Sequence, residues 1–193
     1  DGNHWIINGE KKFITNGNVA RYCVLAAVTD KSAGYKGISS FLVDLENTAG
    51  FKVGTVEEKL GINASGTAEL VFEEAHIPRE NLLGKEGEGF KQMLSTLDGG
   101  RIGIASQAIG IGRAVLEEAS DYSQTREQFG RPISSFQAIQ WKLADMATQL
   151  DAAELLTLRA AWLEQNGRGY EKEAAMAKLH ASDTAMWSAV EGV

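Results

Sequence analysis

The sequence has one cysteine, two prolines and three histidines in 193 residues, and each scarcity excludes something. A single thiol, Cys23, cannot form an internal disulfide. It sits in the apolar run Tyr22-Cys23-Val24-Leu25-Ala26-Ala27-Val28 and reads as a buried structural thiol rather than a nucleophile. With only Pro78 and Pro132, long helices can run unbroken. His4, His76 and His180 are scattered, and none has a partner at metal-ligand spacing. No apolar run reaches the roughly 18 residues of a membrane span. The balance of charge is acidic, at −7, which gives no reason to expect nucleic acid. The opening Asp1-Gly2-Asn3-His4 does not read as a signal peptide. At the other end, Trp187-Ser188-Ala189-Val190 still reads as helix, with no stop signal before Gly192 and Val193. Both ends are expected to be truncations.

What remains falls into two halves with different periods. Residues 1–83 read as β. Asn8-Gly9, between His4–Ile7 and Lys11–Thr15, predicts a hairpin turn. Tyr22–Thr29, Ile38–Val43, Phe51–Val56 and Ala68–Phe72 read as further strands, and Ile77-Pro78 ends the region. Short strands without helices between them predict an antiparallel sheet or barrel. After the glycine-rich turn Gly84–Gly89 the period becomes helical. One helix is expected from Phe90 to about Thr125, kinked at Asp98-Gly99-Gly100, with Gly103, Gly110 and Gly112 letting neighbouring helices approach. A second is expected over about 134–165, with the stripe Phe136, Ile139, Leu143, Met146, Leu150 and Ala153. Asn166-Gly167 ends it. A third starts near Tyr170 and carries Ala174, Ala177, Leu179, Ala181 and Met186. The fold class expected is α+β: an antiparallel β-barrel segment over 1–83, then an up-and-down helical bundle over 84–193.

Several chemistries are set aside. Gly110-Ile111-Gly112 opens like a dinucleotide fingerprint, but Val115 stands at the third glycine and the run lies within a helix. Gly84–Gly89 lacks the Gly-Lys-Ser/Thr ending of a phosphate loop. There is no Gly-x-Ser-x-Gly elbow, and the two Glu-x-x-His motifs of a di-iron bundle are missing. Arg126-Glu127-Gln128-Phe129-Gly130-Arg131-Pro132-Ile133, between two long helices, is more informative. An arginine fork beside an aromatic ring suits a phosphate-bearing ligand with a planar head. The same spacing also fits an ordinary helical corner, with Phe129 in the core and Arg126 in water.

Arg126-x-x-Phe129-Gly130-x-Pro132-Ile133, followed by Phe136-Gln137-Ala138-Ile139-Gln140, resembles the acyl-CoA dehydrogenase family, especially its short-chain, butyryl-CoA-like branch. The resemblance covers the whole chain. Asn8-Gly9-x-Lys11 through Phe13-Ile14-Thr15-Asn16-Gly17 is similar to the flavin-facing segment of the family's middle β domain. Lys59-Leu60-Gly61-Ile62, Ser65-x-Thr67, Phe72-Glu73 and Ile77-Pro78 resemble the exit of that domain. Leu97-Asp98-Gly99-Gly100-Arg101-Ile102 resembles the start of the substrate-facing helix.

The resemblance implies FAD as cofactor. Thr15 would hydrogen-bond the flavin near N5, and Phe13, where many members have tryptophan, would pack beside the ring, with Ile14 between them. Arg126 would reach the pyrophosphate of an FAD held mainly by a neighbouring subunit, with Gln128, Phe129 and Gln137 at its adenosine end. Asp98, Gly99, Gly100 and Arg101 would meet coenzyme A. Asn63 replaces an arginine common in the family. The implied reaction removes hydrogen across the Cα–Cβ bond of a short-chain acyl-CoA, giving a trans-2-enoyl-CoA in fatty acid metabolism. Electrons pass to an electron-transferring flavoprotein. The resemblance also implies a homotetramer, in the bacterial cytoplasm by preference or, in a eukaryote, the mitochondrial matrix. Two alternatives stay open: an acyl-CoA oxidase or other flavoprotein on the same scaffold, and a non-catalytic helical assembly module.

The reaction needs a carboxylate base in a dry site. One branch of the family places it just before the arginine of the substrate helix, which here is Gly100. The short-chain branch places it beyond the third helix, in a Tyr-Glu-Gly segment that this sequence lacks. Tyr170-Glu171-Lys172 belongs to a helix start, and Glu191 reads as a solvated carboxylate at a helix end. No residue here is assigned as catalytic. The base is expected after Val193, and the piece alone is expected to be inactive.

Overall fold

The computed structural model describes residues 2–193 and divides into two compact units, Asp1–Leu94 and Ser95–Val193. The first unit holds six strands: β1 (His4–Thr15), β2 (Tyr22–Val28), β3 (Ile38–Asp44), β4 (Phe51–Val56), β5 (Thr67–Pro78) and β6 (Leu82–Leu83). They form two three-stranded antiparallel sheets, ordered β1-β5-β4 and β2-β3-β6. The expected barrel is therefore not closed. No ladder joins one sheet to the other among the described residues, and a shared apolar core holds them instead. Ile7, Leu70, Phe72, Ala75 and Ile77 from the first sheet meet Leu25, Phe41 and Val43 from the second. Each large aliphatic or aromatic side chain buried in this way contributes about 1.5–3 kcal/mol.

The expected turn at Asn8-Gly9 is not a hairpin. β1 runs straight through it, because its partner is β5 and not the residues that follow. Asn8-Gly9 instead marks a bulge: Ile7 pairs with Ala75 and Gly9 with Phe72, so Asn8 faces both Glu73 and Glu74. The Asn8 side chain replaces the lost ladder bonds. Its Oδ1 accepts from the Glu74 N–H at 2.7 Å, and its Nδ2 donates to Glu74 Oε1 at 2.6 Å. The bulge also shifts the parity of β5, so that Leu70 and Phe72 before it and Ala75 and Ile77 after it all face the core.

The helices are α1 (Gly89–Thr125), α2 (Gln137–Gln165) and α3 (Glu171–Glu191). α1 is continuous for 37 residues and passes through Asp98-Gly99-Gly100 without a break. Gly84 and Gly87, both at positive φ, form the turn into it. In the second unit the three helices pack up-and-down. Arg113 pairs with Glu154 across α1 and α2, and Arg159 with Glu173, at 3.2 Å, across α2 and α3. Their core is rich in alanine: Ala105, Ala108, Ala153, Ala160, Ala174, Ala177, Ala181 and Ala185, with Ile109. Small residues let the helices approach closely, and position 112 is one such point. A Cβ on Gly112 would fall 2.5 Å from Leu150 Cδ2. Gly103 and Gly110, expected to do the same, have nothing within 4 Å of where a Cβ would stand and are not packing glycines here. Of the apolar residues that α3 carries, Ala174, Ala177 and Ala181 are buried, while Leu179 and Met186 are exposed. No helix is long and apolar enough to cross a membrane among the described residues.

Candidate functional site

Three groups of residues singled out by the sequence occupy three distinct places. The first is the end of β1. Here the ladder slips again: Lys11 pairs with Leu70 and Ile14 with Ala68, leaving Lys12 and Phe13 opposite Glu69 alone. Phe13 has φ 57° and is 71% exposed. A bulky residue in the left-handed region is a costly conformation that surrounding structure must impose. Ile14 is half-buried and returns to the ladder, and Thr15 is exposed. The Thr15 hydroxyl makes no hydrogen bond among the described residues and is free to donate outward.

The second place is the connection between α1 and α2. Glu127–Gln128 (β7) and Arg131–Pro132 (β8) form a two-stranded hairpin closed by Phe129-Gly130. Both turn residues have positive φ, 55° and 77°, which makes a two-residue turn of the primed type. Glycine suits its position; phenylalanine does not. Phe129 stands 92% exposed at the tip, so the reading that buried it in the core is excluded. Its ring meets Phe136 edge-on, with centroids 6.1 Å apart, and the Arg131 guanidinium lies 4.3 Å from the centre of the Phe136 ring. Arg126 is exposed, and its side chain has no ion pair or hydrogen bond among the described residues. Gln128 and Gln137 are also exposed, Gln137 as the first residue of α2. That helix end has no side-chain cap and no acidic residue in its first turn. Unsatisfied N–H groups and two arginines in one neighbourhood favour an anion. Arg131 and Phe136 lay within the motif, but sequence reading gave them no role.

The third place is on α1. Arg101 Nη1 lies 2.5 Å from Asp98 Oδ1, one helical turn away. A Cβ on Gly99 would approach Glu164 Oε1 at 3.4 Å and the Tyr170 hydroxyl at 3.9 Å. Burial first, then a hydrogen bond with Glu164, pushes the Tyr170 phenol above its ordinary pKa. Gly100 has open space around it, so the position has room for a carboxylate but supplies none. Arg101 and the hairpin stand about 35 Å apart along α1, at 1.5 Å per residue. They cannot serve one small group together.

Other features stand apart from these. Cys23 is half-buried against the β core, and burial pushes its thiol pKa up, the opposite of an activated nucleophile. Glu191, expected to be solvated, is mostly covered and lies 2.5 Å from Lys142 Nζ. An open groove of about 440 Å³ between α2 and α3 is lined by Asp145, Gln149, His180, Asp183, Thr184 and Trp187, to none of which the sequence assigned a functional role. No group of three or more metal-ligating side chains occurs among the described residues.

A β unit of two sheets followed by three long helices, with these exposed aromatics, has known counterparts. Residues 1–75 match the acyl-CoA dehydrogenase middle domain, and residues 87–193 match the acyl-CoA dehydrogenase C-terminal domain. The chain belongs to the acyl-CoA dehydrogenase family. It is 50% identical over 186 residues to the short-chain specific acyl-CoA dehydrogenase of Clostridium acetobutylicum, covering 96% of this chain and 49% of that protein. Among solved structures, butyryl-CoA dehydrogenase from Megasphaera elsdenii superposes with a TM-score of 0.95 at 48% identity, over 98% of this chain and 49% of that one. A chain in the structure of the electron transferring flavoprotein of Acidaminococcus fermentans superposes with a TM-score of 0.97 at 52% identity, over 100% of this chain and 50% of that one. The chain thus spans about half the length of the relatives it matches.

Proposed function

We propose that this chain is part of an FAD-dependent short-chain acyl-CoA dehydrogenase. Residues 1–83 are the end of its middle β domain, and residues 84–193 belong to its C-terminal helical domain. The observation that carries this reading is Phe13: an aromatic ring held at positive φ, exposed, and two residues before a free threonine hydroxyl. Strain of this kind persists where a ligand site needs it. The likeness to enzymes named short-chain or butyryl-CoA dehydrogenases supports the substrate class.

The residues present fit FAD. Phe13 offers an apolar face to the flavin ring, and the Thr15 hydroxyl donates beside it, with Ile14 fixing the strand between them. The Arg126 guanidinium, aided by the open N-terminus of α2, suits a pyrophosphate, and Gln128, Phe129 and Gln137 suit a nucleoside. Bound FAD supplies the acceptor for the hydride that leaves the substrate β-carbon. The Asp98–Arg101 segment meets the coenzyme A part of the thioester. By the family resemblance the base that takes the α proton belongs to a part of the parent protein outside this sequence, since Gly100 stands at the alternative family position and Glu191 pairs with Lys142. Arg126 faces the FAD of an adjacent subunit in a homotetramer, in the bacterial cytoplasm or the mitochondrial matrix. The likeness to a chain in an electron transferring flavoprotein structure supports such a protein as electron acceptor.

The full-length parent tests this directly. It is expected to purify yellow with bound FAD, and anaerobic butyryl-CoA should bleach the flavin band. Reoxidation should require an electron-transferring flavoprotein. Absence of flavin, or no bleaching by any short-chain acyl-CoA, overturns the reading. Rapid reoxidation by oxygen alone favours an oxidase.

A further inference from the structure

β5 is the middle strand of its sheet, and at Glu69 both neighbouring strands lose register. β1 slips between Lys11 and Ile14, and β4 slips between Val53 and Val56. Two residues on each side, Lys12-Phe13 and Gly54-Thr55, thus face the single residue Glu69. The side chain of Glu69 is only 12% exposed. Its carboxylate accepts a hydrogen bond from Lys12 Nζ and another, at 3.3 Å, from the Thr55 N–H. A Cβ at position 54 would fall 2.5 Å from Glu69 Oε2, so a side chain there would displace the carboxylate. A buried carboxylate is expensive unless it is paired, and an apolar residue would fill the same space without that cost.

The carboxylate draws Lys12 over β5, and the next residue, Phe13, is then turned outward at positive φ. We infer that Glu69 is a positioning residue for the flavin-facing segment Phe13–Thr15, acting through Lys12 and the double bulge. The inference rests on the FAD reading above. It adds that the strain at Phe13 is set from the neighbouring strand, by a residue that need touch neither cofactor nor substrate.

The test uses the full-length parent, with Glu69→Gln, which keeps the size and removes the charge. Lys12→Met is a second variant. The Lys12 side chain is more than half exposed, so this variant folds even if the first does not. Both are expected to weaken FAD affinity about tenfold and to shift the flavin absorption band. Amide exchange at Phe13–Asn16 in the apoprotein should rise by a similar factor, while Lys12→Arg restores all three. Combined with Thr15→Val, Glu69→Gln should shift the flavin band by less than the two separate shifts added together. A purely structural role would lower the thermal midpoint and leave the band and the local exchange as in the parent. That outcome overturns the inference while the FAD reading stands. A parent that takes up no FAD overturns both.

Discussion

Lys142 Nζ lies 2.5 Å from Glu191 Oε2, joining the start of α2 to the last residue of α3. This pair separates two accounts of the missing base. Glu191 is held in an ion pair at the end of α3 rather than left free for a substrate. Glu191→Gln in the full-length parent is therefore expected to keep turnover. It should lower stability by less than about 1 kcal/mol, the usual worth of a partly exposed ion pair. Glutamine in place of the glutamate of the proposed Tyr-Glu-Gly segment is expected to lower kcat by about 10²-fold to 10⁴-fold, with FAD retained. Steady-state rates on the two variants decide between them, and loss of turnover in Glu191→Gln alone would reverse the assignment.

The Glu69–Lys12 pair predicts a pH dependence of known sign. The Lys12 hydrogen bond first, and then the Thr55 N–H, hold the Glu69 carboxyl below its ordinary value of 4.5. A depressed carboxylate contributes stability above its unfolded pKa and loses it as pH falls through the folded one. Lys12 is shifted upward by the same bond, with Glu10 and Glu57 adding to it, so its share is lost only as pH rises beyond 10.5. The difference in thermal midpoint between the parent and Glu69→Gln should be steady near neutrality and shrink below about pH 4.5. A difference independent of pH across that range would mean that the carboxylate is not the group responsible.

Phe129, if it meets FAD as proposed, sets stability against binding. A non-glycine residue in the left-handed region costs about 1–2 kcal/mol. Phe129→Gly removes that cost and gives up an edge-on contact with Phe136 worth about 0.5–1.5 kcal/mol. The net change in stability of the full-length parent should stay within about 1 kcal/mol, while FAD retention falls. Chemical denaturation and flavin content after gel filtration measure the two quantities. A variant that loses stability and keeps its flavin would make Phe129 a packing residue.

The helices are legible in the sequence because their periodicity is set by burial. The stripe through Met146, Leu150 and Ala153 predicts a core face, and all three are buried. The strands are legible for the same reason. What the sequence conceals depends on distant partners. Asn8-Gly9 has turn chemistry, but whether it makes a hairpin or a bulge depends on β5, some 60 residues later, and on the side-chain bonds to Glu74. The lost register around Glu69 is hidden, because it takes three strands to define it. Gly103 and Gly110 have the spacing of packing glycines, yet only Gly112 faces another helix closely. The candidate site is legible as motif but not as conformation: positive φ at Phe13 and Phe129 is invisible in a residue type that rarely adopts it.

Arg126 provides the sharpest test of assembly. Its backbone is fully engaged: its N–H donates to the Tyr122 carbonyl at 2.8 Å, and its carbonyl accepts from the Ile133 N–H at 2.9 Å. These bonds close the hairpin without the side chain, so Arg126→Ala should leave the fold of this connection intact. Only the guanidinium is free. If it binds the pyrophosphate of FAD in an adjacent subunit, one ligand bridges two chains, and flavin binding stabilises their association. A charge-assisted contact is worth about 1.5–3 kcal/mol. Arg126→Ala in the full-length parent is therefore expected to weaken FAD retention about tenfold or more. Dissociation on dilution should begin at a higher protein concentration than in the parent. Lysine should rescue only in part, because it lacks the planar fork. Flavin content and native mass by gel filtration, measured on the same samples, show whether the two losses go together. Full flavin occupancy with parental assembly on dilution would make Arg126 an ordinary solvated arginine. Loss of flavin with assembly unchanged would place its contact within one subunit.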